Sequence, residues 1–437
     1  MKWLIRGGRV IDPKNKLDDQ MDIFIHQGKI VDLQPSPAKR SSRSTPEFRV
    51  IPAEGLVVTP GLIDMHTHLR EPGHEYKETI LSGTEAAVAG GVAALACMPN
   101  TQPVNDNQSV TETIRNKARE ARLALVFPIG AISLGLKGEA LAEYGEMKEA
   151  GVVALSDDGN PVSNSQLMRR AMEYARAFDL PLIAHCEDLA LSRPGVMNEG
   201  VTSTWLGLHG IPAIAEEIMI QRDILICQLT QHPLHLAHVS TAGSVQLIRE
   251  AKRKGLPISA ETAPHYFSLT EEAVLGFDTN TKMNPPLRTK EDLTAIQKGL
   301  KDGTLDVIAS DHAPQSSLEK ELEFEQAANG IIGLETLLPL TLSLVHRGIL
   351  TLPQAIAKLT AEPARILRLK DLGQLQVSGT ANVTIIDPDL PFQVDVQTFR
   401  SKSKNSPFHG WKLKGKALLT MVEGRVVFNQ LQPVSDL

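Results

Sequence analysis

Between residues 56 and 372 the chain repeats one pattern: a short apolar run that ends in polar residues, then a stretch with apolar residues on one helical face and charges on the other. The runs are LVVTPGLIDMHTH, VAALACMPN, ALVFPIGAI, GVVALSDDG, LPLIAHCED, LHLAHVST, LPISAETAPHY and LDVIASDHAP. Between them stand helical candidates such as SQLMRRAMEYARAF, AGSVQLIREAKRKG and KEDLTAIQKGLKDG. Strands that are almost continuously apolar belong in a parallel sheet covered by helices, because both of their faces are buried. Eight such units predict an α/β chain built on a closed (β/α)8 TIM-like barrel.

The two ends have a different texture. Residues 1–55 hold WLIRGGRVID and MDIFIHQGKIVDL, β-rich segments broken by Gly-Gly and Gln-Gly, which predict hairpins. Residues 373–437 return to the same texture with GQLQVSGTANVTIIDP and KALLTMVEGRVVFNQ. Neither end is long enough to bury a core alone, so both are expected to meet in one small β-sandwich domain beside the barrel. The polar stretch PSPAKRSSRSTPE (35–47) reads as a surface loop, open to disorder.

Composition narrows the function classes. A formal net charge of −6 gives no electrostatic reason to expect nucleic acid, and the default partner is a small molecule. No apolar run approaches the roughly 20 residues of a membrane span, and the start MKWLIRGGRV turns to charge and glycine too soon for a signal peptide. A cytoplasmic location is expected. Cys97, Cys186 and Cys227 are odd in number, unrelated in spacing and set in apolar surroundings, which predicts buried free thiols rather than a disulfide framework.

In a barrel of this kind the last residues of each strand lie on the face that carries chemistry. The polar residues there are His66 and His68 on the first run, Asp157 and Asp158 on the fourth, His185 on the fifth, His238 on the sixth, and Asp311 with His312 on the eighth. Alternate residues of a strand point to the same side, so His66 and His68 can bind one ion together. Imidazole and carboxylate donors suit zinc or a similar divalent cation, and this set is large enough for one or two ions with open positions. Strand periodicity alone allows either Asp157 or Asp158 to face the site. His26, His209, His232, His235, His346 and His409 fall off the strand ends or in peripheral segments and receive no role.

GLIDMHTHLREPGHEYKETI, MPNTQPVND, SDDG, AHCED, AHVST and SDHAP, in this order, resemble the amidohydrolase superfamily and, within it, the long-chain bacterial dihydroorotases. HTHLREPG together with MPNTQPVND is the specific part, since SDHAP is shared with hydantoinases and allantoinases. The resemblance implies that His66, His68 and Asp311 hold one ion, that His185 and His238 hold the other, and that Asp158 is shared. It also implies a carboxylated lysine, in hydantoinases and allantoinases, where this chain has SDDG, so an aspartate there favours the dihydroorotase branch.

The implied reaction is the reversible opening of the cyclic amide of dihydroorotate to N-carbamoyl-aspartate in pyrimidine biosynthesis. Two cations flanking a water lower its pKa from about 15.7 towards neutrality. Asp311 is then expected to take a proton and return it to the departing nitrogen, with His312 next in line for that role. Arg70 offers a planar fork for the substrate carboxylate, and His68, Asn100 and Asn284 match substrate-binding positions. Two departures fall on the substrate side: Gln315 stands where the family usually has a histidine, and Asn329 where a phenylalanine usually precedes the glycine. The alternatives are a hydantoinase-like or allantoinase-like cyclic amide hydrolase, and a non-catalytic homologue that assembles with aspartate transcarbamoylase. Loss of ligands would mark that last reading, and all six are present here. Homo-oligomer formation is left open.

Overall fold

The structure, a computed structural model, describes residues 2–36 and 47–431. Most of the polar stretch 35–47 therefore lies outside the described residues. The chain starts with β1 (Lys2–Asp12), β2 (Leu17–His26), β3 (Lys29–Pro35), β4 (Arg49–Pro52) and β5 (Val57–Pro60). The barrel strands follow: β6 (Leu62–Thr67), β7 (Val92–Cys97), β8 (Leu125–Gly130), β9 (Ala154–Ser156) and β10 (Leu182–Ala184). A two-stranded excursion, β11 (Met197–Asn198) with β12 (Gly210–Ile211), precedes β13 (Leu234–Leu236), β14 (Ile258–Thr262) and β15 (Val307–Ile308). The chain finishes with β16 (Val383–Gln393), β17 (Lys412–Val422) and β18 (Arg425–Asn429).

Each of the eight apolar runs contains one barrel strand. They pair in parallel in the order β6-β7-β8-β9-β10-β13-β14-β15. The ring closes where Thr67 bridges His312 in parallel and the His68 N–H donates to the His312 carbonyl at 2.8 Å. Met65, Ala96, Ile129, Ala154, Ile183 and Val307 pack together inside, so the barrel is filled by side chains. The three helical candidates quoted above appear as Ser165–Ala175, Ala242–Arg253 and Lys290–Asp302. Asn164, Thr241 and Thr289 cap them by accepting first-turn N–H groups.

The ends of the chain join in a second sheet, in the order β18-β17-β16-β5-β1-β2-β3, with β4 also on β1. It surrounds a core of its own that includes Ile5, Val10, Ile23, Ile25, Val383, Ile385 and Met421. β5 belongs to this sheet through β1 and β16, and β6 of the barrel starts two residues after it. The sheet is tied to the barrel by Thr384, whose hydroxyl donates to the Gly91 carbonyl, and by Thr420, whose hydroxyl donates to the Val88 carbonyl at 2.7 Å. The strand that carries His66 and a distant C-terminal strand are thus parts of one framework. Among the described residues no helix is long and apolar enough to cross a membrane.

The turn between β2 and β3 packs closely against the turn between β17 and β18. Gly28 has φ +79°, and a Cβ there would lie 2.8 Å from the Glu423 carbonyl oxygen. Both the left-handed backbone and the contact exclude a side chain. Gly28→Ala should therefore lower stability by about 1–3 kcal/mol, seen as a lower Tm, while leaving the metal content of the folded protein unchanged.

Candidate metal centre at the barrel mouth

His66 and His68 leave the end of β6 with ring centroids 5.4 Å apart, and His66 stands 5.4 Å from His238 in the same way. His185 and His238 complete the cluster at 4.7 Å, with His185 Nδ1 and His238 Nε2 2.8 Å apart. Two carboxylates enter it. Asp158 Oδ1 lies 3.5 Å from His66 Nε2, 3.7 Å from His185 Nδ1 and 3.2 Å from His238 Nε2, while its Oδ2 is 3.5 Å from His68 Nε2. Asp311 Oδ1 lies 3.5 Å from His66 Nε2 and 3.2 Å from His68 Nε2. The groups His66–His68–Asp158 and Asp158–His185–His238 each gather three donors close enough for one ion, and they share Asp158.

The spacing fits a metal better than hydrogen bonds. Ligands about 2.1 Å from a tetrahedral ion stand about 3.4 Å apart, near the 3.2–3.7 Å contacts of Asp158 and Asp311. His66 Nε2 is buried and has no hydrogen-bond partner, although it faces both carboxylates. A buried nitrogen left this way is what a bound cation would satisfy. The residues present fit a divalent metal.

A second layer of acceptors sets which ring nitrogen faces inward. His66 Nδ1 is 2.5 Å from Glu261 Oε1, His68 Nδ1 is 2.9 Å from Asn100 Oδ1, and His185 Nε2 is 3.0 Å from Glu187 Oε2. Each acceptor claims the ring proton on its own side and leaves the other nitrogen's lone pair for a cation. Glu187 also accepts from Asn284 Nδ2 at 2.9 Å, so a predicted substrate residue and a predicted metal ligand are braced by one carboxylate.

The electrostatics follow from burial and charge. Burial pushes the His66 pKa down, but Asp158, Asp311 and Glu261 outweigh it and hold it well above the ordinary value. Burial likewise opposes the shift at His185, which Asp158 and Glu187 raise to about 10. Burial raises Asp158 and Asp311, and the surrounding histidines reverse it and hold both below the usual carboxylate range. Glu187 and Glu261 are held at about 2, their histidine partners overcoming burial. This concentration of buried carboxylates calls for positive charge, which dications supply as well as protons do.

Local backbone geometry is unusual at three of these positions. Arg70, His238 and Asp311 have φ of 64°, 34° and 48°, a region that costs a residue with a side chain about 1–3 kcal/mol. Closure of the barrel and the hydrogen bonds around the mouth hold them there. Arg70 is partly buried, and its Nε donates to the Pro314 carbonyl at 3.1 Å.

Several expectations are sharpened. Periodicity left Asp157 and Asp158 equivalent. Asp157 turns instead to the backbone, accepting from Ile132 N at 2.7 Å and Ser133 N at 3.0 Å. His312 does not face the cluster: its Nε2 lies 3.3 Å from Glu78 and its Nδ1 accepts from Gly333 N, which removes it as the alternative proton carrier. The Gln315 amide is held from both sides, accepting from Lys77 Nζ at 2.8 Å and donating to the Asn329 carbonyl at 2.6 Å. Cys97, Cys186 and Cys227 are free and buried, as expected.

The seventh run is where sequence reasoning missed residues. Glu261 sits behind His66, and His235, which had no role, lies 3.2 Å from Glu261. The available signal was one carboxylate inside a strand with no other charged residue, ISAET. His265, after the same strand, is buried and neutral, with burial lowering its pKa to about 4 and an unpartnered Nε2. Asp64 was missed as well. Its Oδ1 accepts from Ser310 N at 3.1 Å and His66 N at 3.3 Å, tying the first strand to the last.

Comparison with known proteins decides the family. A family model described as dihydro-orotase-like matches residues 55–244, and one described as the amidohydrolase family matches 228–428. The dihydroorotase of Syntrophobacter fumaroxidans is 56% identical over 429 residues, covering 98% of this chain and 97% of that protein. The chain belongs to the dihydroorotase family. The dihydroorotase of Syntrophus aciditrophicus is 53% identical, covering 98% of this chain and 100% of its own length.

Among solved structures, the L-hydantoinase of Arthrobacter aurescens superposes with a TM-score of 0.87 at 25% identity, covering 99% of this chain and 97% of its own. The dihydropyrimidinase of Brevibacillus agri gives 0.85 at 24%, covering 99% and 96%. These two share the architecture of this dihydroorotase family member.

If Glu261 fixes the ring orientation of His66, Glu261→Gln should weaken divalent-metal affinity by about 10- to 100-fold with the fold intact. Competition titration against a chromogenic chelator measures this, and unchanged affinity would remove Glu261 from the metal-binding system.

Proposed function

We propose that this chain is a metal-dependent dihydroorotase, opening the cyclic amide of dihydroorotate reversibly to N-carbamoyl-aspartate in pyrimidine biosynthesis. Asp158 carries the reading. It brings a plain carboxylate, rather than a modified lysine, to the point shared by two donor triads in a chain more than half identical to dihydroorotases. In this proposal His66, His68, Asp158 and Asp311 hold one divalent ion, and Asp158, His185 and His238 hold a second. The ions are zinc. When bound, they make water acidic enough to react near neutral pH and polarise the ring carbonyl.

The remaining chemistry falls to side chains. Asp311 is ionised, so an Oδ accepts a proton as water oxygen adds to the ring carbonyl carbon. As the C–N bond breaks, the same oxygen returns that proton to the amide nitrogen. Arg70 binds the substrate carboxylate, a planar guanidinium on an anion whose charge does not change in the reaction. Asn284 is steadied by Glu187 and offers its amide to the ring. Asn100 has its Oδ1 engaged with His68, which leaves its Nδ2 for substrate.

Residues 1–55 and 373–437 are proposed as the two parts of one β domain, and 56–372 as the catalytic barrel. The proposed setting is the cytoplasm. Homo-oligomer formation and association with aspartate transcarbamoylase are both compatible with catalysis, since no candidate ligand is missing. A hydantoin-like substrate is the second reading, favoured by Gln315 and Asn329 and by the fold shared with hydantoinases.

One metal-loaded preparation should hydrolyse dihydroorotate with kcat/KM at least about 100-fold above hydantoin and allantoin, the discrimination expected when a buried charged group must be matched. Faster turnover of hydantoin would install the second reading. Arg70→Lys should raise KM for dihydroorotate roughly 10-fold or more with metal content unchanged. Asp311→Asn should lower kcat about 100-fold or more while the protein stays folded, and near-normal kcat with a full metal complement would move the proton transfer elsewhere.

A further inference from the structure

The loop that follows β15 is held by a segment from the far end of the chain. Between β16 and β17, residues 401–405 leave the outer sheet and bond to loops at the mouth of the barrel. The Ser403 hydroxyl donates to the Lys77 carbonyl at 2.7 Å, and Glu78 accepts from the Ser401 hydroxyl and, at 3.0 Å, from Lys402 N. Lys77 and Glu78 belong to the connection after β6, the strand that carries His66.

Asn405 does the same for the eighth loop, and its amide is fully engaged. It is 4% exposed. Its Nδ2 donates to the carbonyls of Ala313 and Gly330 at 3.1 and 3.0 Å, while its Oδ1 accepts from Gln315 N at 3.1 Å. Ala313 and Gln315 flank Pro314, which has no N–H of its own to hold it. One side-chain amide therefore grips the chain on both sides of Pro314. Gly330 lets the two backbones meet there, since it has φ +133° and a Cβ would lie 2.6 Å from the Ala313 carbonyl oxygen.

Pro314 matters because its carbonyl accepts from Arg70 Nε at 3.1 Å. A guanidinium has five donors in a rigid planar fork, so engaging Nε fixes where the two Nη groups point. The aim of that free edge follows from the Pro314 carbonyl, and the place of the carbonyl follows from Asn405. Asp311 and His312 are secured differently, by the Thr67–His312 bridge, the His68 N–H on the His312 carbonyl and the Ser310 N–H on Asp64. Loss of Asn405 would thus disturb the Arg70 side of the mouth and leave the metal side in place.

We infer that Asn405 is a positioning residue for substrate: through Pro314 it aims Arg70 at the substrate carboxylate, so that the C-terminal part of the chain sets the affinity of the barrel for an anionic ring. The inference rests on the reading of Arg70 as the carboxylate fork, which Arg70→Lys tests by itself.

Asn405→Ala in the metal-loaded full chain should raise KM for dihydroorotate about 10-fold, because a small misplacement of a positioning group is costly. Its kcat should stay within about 2-fold of wild type, with metal content unchanged. Added to Arg70→Lys, it should raise KM by less than about 2-fold more, since the two residues act on one contact. A fall in kcat without a rise in KM, or effects that multiply in the double variant, would overturn the inference.

Asn405→Asp covers the case in which the alanine variant does not fold. It keeps the volume and the acceptor for Gln315 N but cannot make both donations to the carbonyls. The same rise in KM with kcat retained is expected, and wild-type KM in this variant would overturn the inference. Unaltered KM in Arg70→Lys would instead remove the fork itself, whereas raised KM there with wild-type KM in the Asn405 variants would leave the fork and remove Asn405 from it.

Discussion

Asp158 is the constraint around which the mouth of the barrel is arranged. Its carboxylate is buried and lies within 3.7 Å of a ring nitrogen of each of four histidines, from three other strand ends. A buried anion is stable only with matching positive charge close by. The imidazoles supply part of it as protons, and divalent cations would supply it more fully, with the histidines serving as neutral ligands. Much of the surrounding geometry follows from keeping those four rings turned inward.

That task falls to groups one step back from the cluster. Glu261, Asn100 and Glu187 each hold one histidine by the nitrogen that does not face Asp158. Asp64 joins the first strand to the last by its hydrogen bonds to the backbones of His66 and Ser310, and the Thr67–His312 bridge closes the ring at the same level. Barrel closure and ring orientation are therefore one structural problem. The left-handed backbone at Arg70, His238 and Asp311 shows where the chain accepts strain to solve it.

The fold was legible because burial on both faces writes itself as apolar runs, and all eight runs hold barrel strands. The inner ligands were legible for a related reason: a histidine or aspartate at the end of such a run interrupts a largely apolar pattern at the face where a barrel carries chemistry. Three kinds of information were not. The choice between Asp157 and Asp158 depends on where a three-residue strand ends, and neighbouring loop amides decide it. Glu261 and His235 lie inside strands whose pattern reads as core, and only the three-dimensional neighbour, His66, explains a charge there. Gln315 looked free to meet substrate, whereas Lys77 and the Asn329 carbonyl, distant in sequence, hold its amide.

If Asp158 is common to two metal positions, the number of ions bound per chain depends on that one carboxylate. Protein stripped with chelator, reloaded with zinc and freed of excess should retain two ions per chain as wild type. Asp158→Ala, shown folded by circular dichroism, should retain neither at the same free zinc concentration, because each triad loses a donor and the cluster loses the charge that both positions share. Retention of two ions by the folded variant would show that Asp158 holds neither, and loss of one ion with the other bound at wild-type affinity would show that it is not shared.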